Sequence, residues 1–167
     1  NTSGLIAVAK NDAAHAHLSA QLKERTLKRT YIAYVWTALN PRAGSIDAPI
    51  ARHPRQRMQM AVVPSGKHAI THYETLTAYH VNGNLTPMAS KIRCELETGR
   101  THQIRVHMSD RGWPLVGDAV YGRRYDGALA AAAVTLGRQA LHAARLAFVH
   151  PITGARLAFE TPPPPDF

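Results

Sequence analysis

The sequence predicts an α+β domain built around a mixed, mostly antiparallel sheet with a few flanking helices. Three observations lead to this fold class. Several segments alternate apolar and polar residues with a period of two, two or three segments have a helical pattern, and the last apolar segments form a hairpin pattern. A length of 167 residues suits one domain, and 45% hydrophobic residues are enough for a core.

The first third of the chain predicts two strands and a helix. A polar turn over 1–4 precedes an apolar segment, 5–9, which is predicted to be a buried strand. Asp12 is expected to cap a helix over 13–25. The segment 27–39 is rich in aromatic and β-branched residues and alternates with a period of two, as strands do.

The remainder predicts more strands than helices. A proline-interrupted basic loop is expected to lead into a short strand over 58–63, and two longer strands are expected over 69–79 and 90–98. Thr101 is expected to cap a helix over 102–110 that ends at Gly112. The alanine-rich segment 122–137 fits a helix or an irregular excursion, and 140–161 reads as a closing hairpin.

The charge balance indicates a polyanionic partner. Twenty Lys and Arg residues oppose eleven Asp and Glu residues, which gives a formal net charge of +9 and a pI near 10.2. Nucleic acid is the first candidate, and a basic domain without such a partner is the alternative. Most of the positive charge is arginine, which favours contacts with phosphates and bases.

Other classes of protein are disfavoured by the composition. Cys94 stands alone, which excludes an intrachain disulfide and a cysteine-cluster zinc site, and its apolar surroundings predict a core position. No apolar run approaches the ~18 residues of a membrane span. No signal-peptide pattern is present, so the cytoplasm is the default expectation for localisation. For the oligomeric state, the default expectation is a monomer.

The basic loop is the first candidate functional segment. It carries four side chains that can contact phosphates while remaining exposed, with a plain solvated loop as the alternative. These side chains are Arg52, His53, Arg55 and Arg57.

The segment 97–108, "ETGRTHQIRVHM", is the second candidate. A strand ends there, and a helix begins with Arg and His in its first turns, where free backbone N–H groups favour an anion. A cation such as Arg105 opposes the helix dipole there, so we expect it to pair with a carboxylate or hold a phosphate. His102 and His107 lack the i, i+4 spacing of a helical zinc pair, so no metal site is predicted.

Tyr31, beside Lys28 and Arg29, is the third candidate, although a strand tyrosine usually belongs to the core.

The sequence lacks G-x-S-x-G, Walker and G-x-G-x-x-G motifs. The residues by themselves therefore indicate a basic α+β domain that binds RNA or DNA, with or without enzymatic activity.

Five segments in order resemble the RluA-type pseudouridine synthases, and most closely their RluD-like branch, which acts on large-subunit ribosomal RNA. They are "RTYIAYV", "RHPRQRMQMAV…GKHAITHY", "ETGRTHQIRVHM", "PLVGDAVYG" and "QALHAARLAFVHPITG". The resemblance covers nearly the whole chain. It implies the catalytic domain of a pseudouridine synthase over 1–167, which isomerises uridine in RNA without a metal or redox cofactor.

The resemblance also implies that the nucleophile lies outside this sequence. "TSGL", residues 2–5, matches the second half of the family motif His-Arg-Leu-Asp-x-x-Thr-Ser-Gly-Leu, whose Asp is the catalytic residue. That Asp would stand two residues before Asn1, so this chain alone is expected to be inactive. An S4-type RNA-binding domain, common in this branch, would also lie upstream.

The family's site residues map onto this sequence through the matching motifs. Tyr31 matches the active-site tyrosine that packs on the target base, and Arg105 matches the arginine that pairs with the catalytic Asp. Arg100 and His102 are expected to contact RNA, with a role in the structure of the turn as the alternative for Arg100. The target uridine is expected to flip out of its stack. Asp118 matches a different motif and is interpreted as structural.

Thr37 departs from the family pattern, which usually has glycine there; a changed turn is expected.

Two other hypotheses remain open. One is a non-catalytic RNA-binding module derived from this family. The other, more remote, is a metal-dependent hydrolase that uses His102 and His107.

Overall fold

The computed structural model describes residues 1–80, 85–122 and 128–167 and has the predicted α+β architecture. Parts of the loop expected over 80–89 and of the alanine-rich segment over 122–137 lie outside these residues. The strands are β1 (Ser3–Gly4), β2 (Lys28–Trp36), β3 (Ala43–Asp47), β4 (Ile50–Arg52), β5 (Met60–Val62), β6 (Ile70–Tyr79), β7 (Ala89–Leu96), β8 (Leu141–Val149) and β9 (Arg156–Glu160). The helices are α1 (Asp12–Lys23), α2 (Gln103–Asp110) and α3 (Ala128–Leu136).

Seven of these strands form one sheet in the order β1-β8-β2-β7-β6-β3, with β9 also paired to β8. In the described part of the chain, the β1–β8 pair is parallel and the others are antiparallel, so the sheet is mixed and mostly antiparallel, as predicted. β4 and β5 form a separate hairpin. The alternating segments became the long strands because one face of each packs on the core.

Helix α2 lies between the large sheet and the small hairpin. On one side, Ile104 and Met108 join a core with Val35, Ile92 and Cys94. On the other side, Val106 packs with residues of and near the β4–β5 hairpin. The buried position predicted for Cys94 is confirmed. The helix therefore fixes the hairpin relative to the sheet.

The prediction of a buried strand over 5–9 is wrong. Pairing stops after Gly4, and Ile6 and Val8 are 84% and 75% exposed. β1 pairs with β8 at His142 and Ala143, and β9 occupies the adjoining part of the β8 edge. The chain after Gly4 therefore has no free edge to pair with.

Three smaller corrections concern helix ends and short strands. Asn11, not Asp12, caps α1, because its Oδ1 accepts a hydrogen bond from the Ala14 N–H at 2.8 Å. Thr101 does not cap α2; the N-cap is His102, in the left-handed region at φ 57°. β3 and β4 were not predicted, since they are short and interrupted by proline.

No described helix is long and apolar enough to cross a membrane.

Candidate active site

An open cleft of about 440 Å³ gathers four of the predicted site residues. Tyr31 from β2, Arg100 and His102 from the turn before α2, and Arg105 from α2 all line it. Residues 1–6 form part of the same wall, so the "TSGL" segment faces the same space. Segments far apart in sequence therefore meet at one surface.

Gly4 anchors the N-terminal wall of the cleft. Its φ is +100°, and a Cβ there would lie 2.3 Å from the Ala143 carbonyl oxygen, so only glycine fits. Next to it, the Ser3 hydroxyl and His142 Nδ1 are 3.0 Å apart, and His142 Nε2 donates to the Thr161 carbonyl. The hydroxyl therefore donates to Nδ1, which fixes Ser3 against β8.

Tyr31 lies half-buried at an irregularity of the sheet. The register between β2 and β8 shifts between Thr30 and Tyr31, and such bulges re-aim side chains next to functional sites. Burial raises the pKa of the Tyr31 phenol, and the positive charge of Arg29 offsets part of that rise. The phenol is therefore neutral at neutral pH and can donate a proton.

A glutamine that sequence reasoning missed holds the turn before α2. Gln103 Oε1 accepts from the Arg100 N–H and the Thr98 hydroxyl at 2.9 and 2.7 Å. Its Nε2 donates to the Ile70 carbonyl and the Thr71 hydroxyl. This buried amide ties the turn to β6. A polar residue at the first helical position was the available signal, but two of its partners, Ile70 and Thr71, are remote in sequence.

Arg105 forms a buried bidentate pair with Asp118. Nε lies 2.7 Å from Oδ2, and Nη2 lies 2.7 Å from Oδ1. The carboxylate also accepts the N–H groups of Val120 and Tyr121. Burial by itself would raise the pKa of Asp118, but Arg105 and the two N–H groups outweigh it and hold the pKa below its usual value. Of the two partners expected for Arg105, a carboxylate or a phosphate, the structure shows a carboxylate, and it is that of Asp118; pairing with an aspartate upstream of Asn1 stays a prediction.

Tyr121 connects Arg105, His102 and the small hairpin, and sequence reasoning missed it. Its ring centroid is 4.8 Å from Arg105 Cζ, in cation–π contact. Its hydroxyl accepts the Met60 N–H at 3.0 Å and lies 2.8 Å from His102 Nδ1. Burial, with the nearby Arg105 charge, lowers the pKa of His102, so the hydroxyl donates to a neutral ring at pH 7.

His107 points away from the cleft. Its Nε2 donates to the Ala48 carbonyl, and its Nδ1 accepts from the Thr71 hydroxyl, each at 2.9 Å. Among the described residues no group of His, Cys, Asp and Glu side chains could hold a metal ion. The hydrolase hypothesis, with His102 and His107 as joint ligands, is therefore not supported by their placement.

The four predicted phosphate contacts of the basic loop form a second group outside the cleft lining. Arg52 ends β4, and its Nη1 donates to the Arg57 carbonyl at 2.9 Å. His53 Nδ1 accepts the N–H groups of Arg55 and Gln56, so this imidazole organises the turn. The hairpin reaches the cleft through the Met60–Tyr121–His102 chain of hydrogen bonds. The predicted site thus consists of a cleft and a neighbouring basic hairpin.

Comparisons with known proteins show which family the chain belongs to. The sequence profile of the RNA pseudouridylate synthase family matches residues 1–110. The chain is 48% identical to ribosomal large subunit pseudouridine synthase D of Nitrosomonas europaea over 167 residues, which are 99% of this chain and 46% of the relative. It is 46% identical to the protein of the same name from Pseudomonas aeruginosa, covering 100% of this chain and 52% of the relative.

A solved structure has the same fold. Human RNA pseudouridylate synthase domain containing 1 superposes with a TM-score of 0.74 at 29% identity, covering 94% of this chain and 63% of that one. The chain spans about half the length of the large-subunit synthases it matches.

Proposed function

Because the chain belongs to the RNA pseudouridylate synthase family, in its RluA/RluD-like branch, we propose that it forms the body of an enzyme that isomerises uridine to pseudouridine in large-subunit ribosomal RNA. The observation that carries the proposal is the shared cleft. The "TSGL" segment, Tyr31 and Arg105 come from three separate parts of the chain and face one space. We propose that the enzyme acts as a monomer in the cytoplasm.

In this reaction the bond between the ribose and uracil N1 breaks, a bond between the ribose and C5 forms, C5 loses its hydrogen as a proton, and N1 takes up a proton. We propose that the nucleophilic aspartate stands two residues before Asn1 in a longer chain. Asn1 and Thr2 line the cleft, which supports a position for this aspartate near it. The aspartate attacks the sugar or the base, or assists departure of the base.

Arg105 is proposed to orient and ionise this aspartate. Asp118 engages Nε and Nη2, so Nη1 is the guanidinium nitrogen that remains for a second carboxylate. A positive charge beside a carboxylate favours its ionised form. Asp118 itself is a poor candidate for the nucleophile, because its side chain is 0% exposed and already paired.

Tyr31 is proposed to pack on the target base and donate or accept a proton near C5. The base must leave its stack to reach this half-buried phenol, so base flipping is part of the proposal. Arg100 and His102 would contact the flipped nucleotide's neighbours at the cleft rim. Arg52, His53, Arg55 and Arg57 would hold backbone phosphates on the adjacent hairpin.

The test uses large-subunit RNA labelled with tritium at uridine C5. A chain extended upstream through the aspartate should release tritium, and the same chain with this aspartate changed to Asn should not. Residues 1–167 alone should bind RNA without releasing tritium. Release by residues 1–167 alone would refute the upstream nucleophile, and an inactive extended chain that still binds RNA would favour the non-catalytic module.

A further inference from the structure

A second recess lies beside the cleft and, apart from Arg100, is lined by residues to which no RNA contact has been assigned so far. Its volume is about 400 Å³. Four cationic side chains line it, together with one carboxylate, that of Glu97. The cations, here called the recess cations, are Lys23, Arg25, Arg29 and Arg100. They come from the end of α1, the start of β2 and the turn before α2, and this convergence of positive charge favours an anion.

Arg29, one of the recess cations, has an unsatisfied hydrogen-bond donor. Its Nη2 donates to the Thr98 carbonyl at 3.1 Å, while its buried Nε has no hydrogen-bond partner among the described residues. An unpaired buried donor costs free energy, and such groups call for a specific explanation. An anion beside this guanidinium would supply the missing negative charge.

Gly99 leaves room for the Arg29 guanidinium. A Cβ at Gly99 would lie 2.5 Å from Arg29 Nη1, so a larger residue would displace the guanidinium. Arg100 closes the same wall, with its Nε bonded to the His68 carbonyl at 2.9 Å. Two arginines therefore line the same recess, each held by one hydrogen bond to a backbone carbonyl and with part of its guanidinium left for a ligand.

The recess adjoins the cleft at two points. Arg100 lines both spaces. Arg29 lines the recess and also a small groove that it shares with Tyr31. A strand of nucleic acid with one base beside Tyr31 would carry its neighbouring backbone past Arg29 and Arg100.

We propose that the recess binds a backbone phosphate of the RNA, next to the nucleotide whose base occupies the cleft. This inference rests on the proposed function, because it takes RNA as the substrate. Recognition is electrostatic and independent of base identity, as phosphate contacts are. Glu97 pairs with Arg25 and His72 at the recess rim and holds Arg25 in position.

The first test compares two matched arginines in the full-length protein. Arg25 and Arg93 are 46% and 47% exposed, and each pairs with a glutamate, but only Arg25 lines the recess. Arg25→Gln should weaken binding to a single-stranded substrate RNA about tenfold and lower the salt slope, d log K/d log[salt], by about 0.7. Arg93→Gln should bind as the wild type does. Equal behaviour of the two variants overturns the proposal.

The second test locates the phosphate. RNA oligonucleotides with one neutral methylphosphonate at successive positions should include one position at which the wild type and Arg25→Gln bind equally. Arg29→Lys and Gly99→Ala, with folding checked by circular dichroism, should lose their defect at the same position. If no position removes the difference, the recess does not bind an RNA phosphate.

Two further outcomes separate this inference from the proposed function. A wild type that binds no RNA refutes both. A recess built for free phosphate predicts that Arg25→Gln loses affinity for inorganic phosphate while its RNA affinity is unchanged, which overturns the subsite and leaves the proposed function standing.

Discussion

Arg105 and Asp118 form a two-point ion pair at the base of the cleft, with both nitrogen–oxygen distances at 2.7 Å. Their side chains are 9% and 0% exposed. A buried bidentate pair fixes the plane of the guanidinium, because both contacts must be satisfied together. The direction in which Arg105 faces the cleft is therefore set by a residue on another segment.

Asp118→Asn should destabilise the fold strongly. The change leaves the Arg105 charge buried without a counter-charge, which costs about 3–5 kcal/mol. Asp166→Asn is the control, because Asp166 pairs with Arg138 but is 60% exposed, and its loss should cost less than about 1 kcal/mol. Urea unfolding measures the free energy of unfolding of both variants. Similar small losses in the two variants would show that the buried pair contributes little to stability.

Arg105→Lys should affect catalysis more than binding in the extended, active chain. Lysine keeps the positive charge but loses the planar two-point contact with Asp118. Under the proposed function, the upstream aspartate that Arg105 is proposed to orient would then be misplaced. We expect a rate loss of about a hundredfold with RNA affinity changed less than about twofold. Single-turnover tritium release measures the rate, and equilibrium binding measures the RNA affinity. A loss of affinity as large as the loss of rate would assign Arg105 to RNA binding.

Arg55→Ala should show the opposite pattern. Arg55 is exposed on the basic hairpin, so its loss should weaken RNA binding uniformly across sequences and reduce the salt slope by about 1. Arg156→Ala, an exposed arginine on β9, is the control and should leave both quantities unchanged. A base-specific loss on changing Arg55 would contradict a phosphate contact.

His107 should make the free energy of unfolding depend on pH below about 6.5, the usual pKa of histidine. Burial lowers the pKa of His107, so below the usual value near 6.5 the unfolded chain takes up a proton before the folded one. The contribution of neutral His107 to the free energy of unfolding is therefore fully present at neutral pH. It is lost as pH drops toward the folded-state pKa. His107→Gln should flatten this fall in urea unfolding, whereas His15→Gln, on the exposed side of α1, should not.

Thr37→Gly should stabilise the protein. Thr37 has φ +71°, a left-handed conformation that is costly for a β-branched residue and free of strain for glycine. Its backbone contacts, to the Met88 carbonyl and from the Ser90 hydroxyl, survive the change. We expect a gain of about 1 kcal/mol, with Ala38→Gly as a control that should destabilise. This agrees with the glycine that the family pattern usually has there.

The long strands β2, β6, β7 and β8 could be predicted because alternation records which side chains face the core. The shorter β3 and β4 could not, since proline and a length of three to five residues leave too little pattern. The apolar segment 5–9 misled prediction for a different reason. Apolar residues favour a strand, but β9 already holds the edge of β8 that this strand would need.

The sequence by itself determined the fold class, the basic character and, through motif order, the residues Tyr31 and Arg105 as site candidates. Only the tertiary structure decided which side chains meet. It paired Arg105 with Asp118, placed Tyr121 between the cleft and the hairpin, and gathered the recess cations around one recess. The physical reason is that strand patterns reflect local burial, whereas these contacts join segments whose proximity depends on the packing of the whole sheet and α2.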